Sequence, residues 1–485
     1  MADDVNKEGV FDLSDAEGVN ESERLLMQLC RRSFLSLWSY ANLHTDEGLH
    51  GGSHAPKEFT DVLVVFGDDV ILFSDKHIRY DEAADPAVAW GRWRKRAIDK
   101  SVKQLYGAVS WLRRYPDRIF LDPQCMRRPP VQLPAPERAR YRLVAVTRGS
   151  ACACARQFPG SLGTHRLNTG VQGIAGDIPF TVGGPAAGKP FVHVFDELAL
   201  EIVMNEMDTV ADFLRYLQAR ERFLSNQAMQ VIAPGEEQLV SAYLMNMEGD
   251  NHYFLSDRDA RPDILVVDET HYKGLLSRPE YQTKKRADID SYFWDELIER
   301  FIETGGPRIV HPDSDQPPSE TEIALRLMAG ESRFRRRLLV SALKDLIAVA
   351  AQRPGTRRVR LFSTLQEPET CYVLLLAPKR DEESYQEYRA HRAAVLHAYC
   401  RCAKLRRPDG VQFIGLAMDH PVKNYPGSSE DLMVWTWTEF TPEVRQELER
   451  MRQELGILGE RMTQAEAHAD EFPAAGAKLA PGAKA

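Results

Sequence analysis

The chain has 485 residues, 43% of them apolar and 27% charged, with a net charge of −9. That length exceeds what one hydrophobic core serves and fits two or three domains, and the acidic balance excludes a surface that is basic overall, so any nucleic-acid binding must be local. No run approaches the 18 apolar residues of a membrane helix, the first 25 residues carry no secretory pattern, and seven cysteines are too few for a disulfide framework and fit a reducing cytoplasm.

In chain order, residues 1–20 are expected to be disordered. A helix should start near Asn20-Glu21-Ser22-Glu23 and run to about Ala41, with Leu25, Leu26, Leu29, Phe34 and Leu37 as its apolar face. A Gly/His-rich loop, His44–Pro56, precedes the segment that points most clearly to chemistry, KEFTDVLVVFGDDVILFSDKH from Lys57 to His77. Two apolar runs, Val62–Phe66 and Val70–Phe73, flank Gly67-Asp68-Asp69, which is the pattern of a β-hairpin. Glu58 and Asp61 stand at the start of the first strand, Asp75 and Lys76 at the end of the second. Carboxylates at two strand ends can converge on one divalent cation, and a neighbouring ammonium can steady a water nucleophile or developing charge.

Asp85-Pro86 supplies an N-cap and first-turn proline for a long helix to about Arg114. Its stripe Ile98, Val102, Leu105, Val109 and Leu112 faces a core, while Arg92, Arg94, Lys95, Arg96, Lys100 and Lys103 oppose a single acid, Asp99, over residues 92–103. Trp90 and Trp93 read as packing groups. Strands are expected at Arg118–Leu121, Tyr141–Thr147 and Phe191–Phe195, and a helix at Asp208–Leu224. Gly183–Lys189 fits G-x4-G-K but lacks the following Ser/Thr, and the next residues, FVHVF, read as strand, so it is taken as a turn. Cys152-x-Cys154 and Cys400-x-Cys402 lack zinc-site spacing, and His44, His50 and His54 read as loop histidines.

Residues 21–232 are thus read as one α/β domain and 233–330 as a middle α/β region, with a strand at Asp263–Val267, a helix near Tyr292–Ile302 and a linker at His311–Glu320. Residues 331–462 read as a C-terminal α/β domain. It has helices near 333–352 and 384–404, strands at Val359–Ser363, Tyr372–Leu376, Val411–Leu416 and Leu432–Trp437, and a charged helix after Thr441. Residues 463–485 form an expected disordered tail. Arg333, Arg335, Arg336 and Arg337 suggest a second phosphate-contacting patch, at 333–337.

A helix, Glu58 and Asp61, two apolar strands ending in Asp75-Lys76 and a long helix together resemble the core of PD-(D/E)XK nucleases, the restriction-endonuclease-like fold. The likeness covers roughly residues 55–147. It implies a mixed-sheet core and Mg²⁺- or Mn²⁺-dependent hydrolysis of nucleic-acid phosphodiesters, DNA ahead of RNA. It implies metal ligation by Asp61 and Asp75, Glu58 as a ligand or base, Lys76 on the attacking water, and Lys100 and Gln104 from the neighbouring helix toward the phosphate. A role in defence or repair and self-association are compatible with it. The family's second acid corresponds to residue 74, here Ser74. Strand alternation puts Ser74 and Lys76 on one face and Asp75 on the other. The alternative is a noncatalytic binding protein on the same scaffold.

Overall fold

The computed structural model describes residues 11, 13, 18–50, 55–171, 173–186, 188–249, 251–255, 263–303, 318–421, 425, 429–459 and 462–474. The expected disorder over most of residues 1–20 and beyond 474, the loop residue His54 and linker residues 311–317 lie outside that set. Helix at 44% and strand at 19%, in mixed sheets, place the protein in the α/β class. The chain divides into two compact units, residues 12–278 and residues 279 onward, so the boundary falls inside the stretch read as a middle region.

In the first unit, α1 spans Glu21–Phe34. Asn20 caps it, its side chain accepting from the Glu23 N–H, and Leu35, at φ +67°, ends it. The chain then turns into a strand, β1 (Ser39–Ala41), where the sequence pattern suggested continued helix. The apolar spacing of LCRRSFLSLWSYA satisfies helix and buried strand alike, and the left-handed Leu35 decides between them.

The predicted hairpin forms as β2 (Val62–Phe66) and β3 (Asp69–His77), antiparallel with Phe66 opposite Asp69. Its two-residue turn puts the one positive φ, +61°, on Gly67, which has no Cβ to clash there. The long basic helix is α2 (Pro86–Arg94), a π-helical stretch at Lys95–Asp99, and α3 (Lys100–Arg114). Strand β4 (Arg140–Arg148) runs parallel to β3, α4 (Ala151–Gln157) follows, and β5 (Val192–Asp196) is parallel to β4. The sheet order is β1-β2-β3-β4-β5. Its central strands are apolar on both faces because helices cover both. Phe73 of β3 meets Phe34 of α1 and, across 6.2 Å, Phe213 of a later helix, α6 (Val210–Leu224), while α3 packs on the opposite face. Between β5 and α6 lies α5 (Glu197–Glu206). The expected strand Arg118–Leu121 reduces to a single bridge, His44 to Phe120. After Lys189 the chain enters β5 and no helix, so the G-x4-G-K segment has no helix N-terminus behind it.

The second unit holds α7 (Tyr292–Glu303), a helix at Pro318–Ala329 that begins inside the expected linker, α8 (Arg333–Ala351), β6 (Arg358–Phe362), β7 (Thr370–Ala377), α9 (Tyr385–Cys402), β8 (Gln412–Asp419), β9 (Glu430–Thr436) and α10 (Pro442–Leu455). The sheet order is β6-β7-β8-β9, with β7 and β8 parallel through the crossover α9. Cys371, Val373 and Leu375 on one face of β7 pack with Leu396 and Cys400 of α9 and Leu448 of α10. Tyr372 on the other face donates to Glu331 and meets Trp294 of α7 edge-on.

The arginine run at 333–337 is no surface patch. Arg333, Arg335, Arg336 and Arg337 are all buried, at 1–6% exposure. Arg333 and Arg336 share Asp295, Arg335 meets Glu331, and Arg337 reaches Asp288 and the main-chain carbonyls of Asp470 and Glu471. Each guanidinium is neutralised inside the fold, so phosphate contact there is ruled out. The same contacts hold the chain at Asp470 and Glu471, and Glu471 is also 3.4 Å from the Lys284 ammonium.

Candidate functional site

Asp61 lies one residue ahead of β2, where the hairpin register carries it beside the end of β3. The neighbouring Thr60 hydroxyl donates to the Phe73 carbonyl at 2.6 Å and fixes this segment against β3. Asp61 Oδ2 accepts the Asp75 main-chain N–H at 2.5 Å and stands 3.4 Å from Lys76 Nζ. The aspartate side chain is 3% exposed and the lysine 30%, so the ammonium is the outermost group of the pair. Burial pushes the Asp61 carboxyl up to about 6; Lys76 and the Asp75 N–H oppose this, and Glu23 and then Glu58 add to it.

Strand alternation holds as read from the sequence. Ser74 faces α3, where its hydroxyl donates to Gln104 Oε1 at 3.1 Å. Asp75 points to the other face, and there Arg148 claims it. Asp75 lies opposite Val146 in the parallel ladder, which puts Arg148, two residues on, beside it. Arg148 Nε lies 3.1 and 3.0 Å from the two carboxylate oxygens. Burial nonetheless raises the Asp75 carboxyl, with Arg148 and Lys76 working against it and Glu23 with it. Arg148 Nη2 is buried and has no hydrogen-bond partner.

The structure therefore brings together Asp61, Lys76 and the main chain of Asp75, and beside them Ser74 with Gln104. It does not deliver the Asp75 carboxylate as a free metal ligand, because Arg148 occupies it on the far face. Glu58 sits apart on a two-residue strand, Lys57–Glu58, paired with His44–Thr45, and its side chain is exposed. It acts on Asp61 only as the weakest of the influences named above. Lys100 is exposed at the start of α3, one turn from Gln104.

Two residues of the site escaped sequence reading. Glu23, buried in the first turn of α1, acts on both Asp61 and Asp75; its oxygens accept from Asn20 Nδ2 and the Val19 N–H. An acid in the first turn is also what the helix dipole favours, so its position carried no separate signal. Arg148 ends an apolar strand 73 residues from Asp75, and only the parallel register joins them.

Among the described residues no group of three or more His, Cys, Asp and Glu side chains is placed to hold a metal ion. The hard oxygens of Asp61 and Glu23 still suit Mg²⁺ or Mn²⁺. Mg²⁺ keeps several of its waters and is commonly held by one or two carboxylates together with substrate phosphate. The raised Asp61 carboxyl, with further acids nearby, is the electrostatic condition that a cation relieves.

Along α2, the π-helical stretch and α3, Arg92, Lys95, Arg96, Lys100 and Lys103 are exposed, whereas Arg94 is tied to Asp177 at 3.3 Å and to the Ala175 carbonyl. The π-helical turn inserts a wider coil at Lys95–Asp99, within this basic surface. Trp90 and Trp93 are buried, their indole N–H groups donating to the Gly176 and Ile78 carbonyls, so they serve packing. All seven cysteines are free thiols, and Cys154, Cys400 and Cys402 are buried on helices.

No protein-family model, curated protein or solved structure matches this chain.

Proposed function

We propose that the first unit is a divalent-metal-dependent nuclease whose centre is the Asp61–Lys76 end of the hairpin. The observation that carries the reading is the contact itself: a buried carboxylate with a raised pKa against a partly exposed ammonium, at a sheet end flanked by α3. Asp61, with Glu23, would hold Mg²⁺ or Mn²⁺, which supplies Lewis-acid activation of water and neutralises phosphate charge when bound. Lys76 would steady the attacking water or the charge that develops on the phosphoryl oxygens. Ser74 and Gln104 offer a hydrogen-bonded pair on the same side, and the exposed cations of residues 92–103 would hold the backbone through phosphate contacts. Arg148 would fix the end of β3 through Asp75.

A second reading has a specific observation in its favour. Asp75 is neutralised by Arg148, Ser74 stands at the second acidic position, and three donors do not gather among the described residues. This arrangement suits a noncatalytic nucleic-acid-binding scaffold. Calorimetric titration of Mn²⁺ into the full chain separates the two. The nuclease reading expects one site in the wild type that Asp61→Asn weakens at least tenfold. Equal Mn²⁺ binding by wild type and variant, or none by either, leaves only the scaffold.

A further inference from the structure

The second unit holds its own tail by contacts that the reading above does not use. From Thr463 to Ala469 the chain is exposed and without regular structure, and its one polar contact among the described residues is local, His468 Nε2 to Asp470 Oδ1 at 2.9 Å. It then docks: Glu471 and Pro473 are buried and Phe472 is half-buried. We propose that the surface under Asp470–Pro473 is a recognition cleft for this acidic–aromatic segment, and that the segment is exchangeable, so that one copy of the chain docks its tail in the cleft of a second copy.

Two cations build the cleft. Arg337, on α8, reads the main chain. Its Nη2 donates to the carbonyls of Asp470 and Glu471 at 2.8 and 3.1 Å, while Nη1 donates to Asp288 at 3.0 Å. A buried donor left without an acceptor is costly, so this guanidinium favours a cleft filled by extended chain. Contacts to carbonyls carry no sequence preference, and they hold whatever segment lies there in one register.

Lys284, on a helix at Pro279–Asp288, reads the side chains. Its Nζ is 3.4 Å from Glu471 Oε1 and 5.9 Å from the centroid of the Phe472 ring. One ammonium thus meets a carboxylate and the aromatic ring that follows it, as ion pair and cation–π contact together. Asp288 Oδ2 lies 2.7 Å from the same Nζ, so Asp288 joins the two cations and fixes their spacing. Lysine and arginine stand on different helices, and the docked tail crosses from one to the other.

The exposed spacer makes the segment exchangeable. With no contact to the rest of the fold before the Asp470 carbonyl, the tail leaves the cleft without disturbing other elements. A short tether keeps its own segment at an effective concentration of the order of millimolar. A copy therefore docks its own tail in dilute solution, and exchange shows once that tail is disabled.

The test is fluorescence polarisation on the full chain with a labelled peptide of residues 466–474. Wild type, its cleft filled, should leave the peptide free at micromolar protein. The full chain with Glu471→Ala and Phe472→Ala should bind it at least tenfold more tightly than wild type does, and a peptide carrying those two changes should lose at least tenfold in affinity. Mixed with a Lys284→Met chain, whose tail is intact and cleft impaired, the tail variant should form a one-to-one complex in light scattering that neither forms alone. Equal binding by wild type and tail variant, binding by neither, equal affinity of the two peptides, or no complex in the mixture overturns the proposal. Should the tail variant not fold, a chain with a protease site in place of Ala465–Ala467 is folded first and then cut: the labelled peptide must enter the cut protein, and its exclusion refutes the cleft.

Discussion

Replacing Asp61 with asparagine should stabilise the protein at neutral pH, and the size of the effect follows from the site. The folded protein holds this carboxyl at about 6, against an ordinary value of 3.8. A folded pKa above the unfolded one means a contribution to stability that is full below about pH 4 and lost as pH rises through about 6. A difference of about two pH units corresponds to about 3 kcal/mol, and the burial of Asp61 keeps most of it unscreened. Asparagine keeps an oxygen to accept the Asp75 N–H and carries no charge to desolvate. At roughly 2–4 °C per kcal/mol for a unit of this size, Asp61→Asn should melt about 5–10 °C above wild type at pH 7.5. The gap should close toward pH 4 and shrink when Mg²⁺ or Mn²⁺ is added, since a bound cation stabilises the wild-type carboxylate. Differential scanning fluorimetry from pH 4 to 8 measures this. A variant that melts below wild type at pH 7.5, or a gap independent of pH, would refute the electrostatic reading of the site.

Arg148→Gln strands the Asp75 carboxylate in a buried position, which should destabilise the first unit by about 3–5 kcal/mol in chemical denaturation; adding Asp75→Asn should restore much of the loss. Arg336→Ala removes a fully buried guanidinium that serves Asp295 and two main-chain carbonyls, and should cost upward of about 3 kcal/mol, whereas Arg96→Gln on the exposed helix should stay within about 0.5 kcal/mol of wild type. The triple change Arg92→Gln, Lys95→Gln and Arg96→Gln should leave folding intact and flatten the dependence of log affinity for duplex DNA on log salt by about 2.7, at about 0.9 per phosphate contact. An unchanged slope removes this helix from the proposed interface.

The hairpin was legible because its information is local: two apolar runs, a Gly-Asp turn and a proline-capped helix within 60 residues of one another. The strands and helices of the second unit were legible for the same reason, Thr370–Ala377 and Gln412–Asp419 being apolar runs on either side of a helix with a capping box. What failed depended on distant partners. Four arginines within five residues read as a phosphate-contacting patch, but Asp288, Asp295 and Glu331 stand beside them in the fold. Asp75 read as a metal ligand until the parallel ladder set Arg148 next to it. The helix drawn through to Ala41 failed at a single residue, Leu35, whose left-handed conformation is not encoded by its side chain. Glu23 was hidden behind an ordinary explanation for acids at helix starts.

The central claim is that the Asp61–Lys76 pair is a hydrolytic centre. Its most direct test is the time course of DNA and RNA strand cleavage by the full chain with Mg²⁺ or Mn²⁺, set beside Lys76→Met. The account predicts metal-dependent cleavage that falls at least a hundredfold in Lys76→Met while DNA binding persists. Cleavage at equal rates by both proteins, or by neither with any nucleic acid offered, would contradict it.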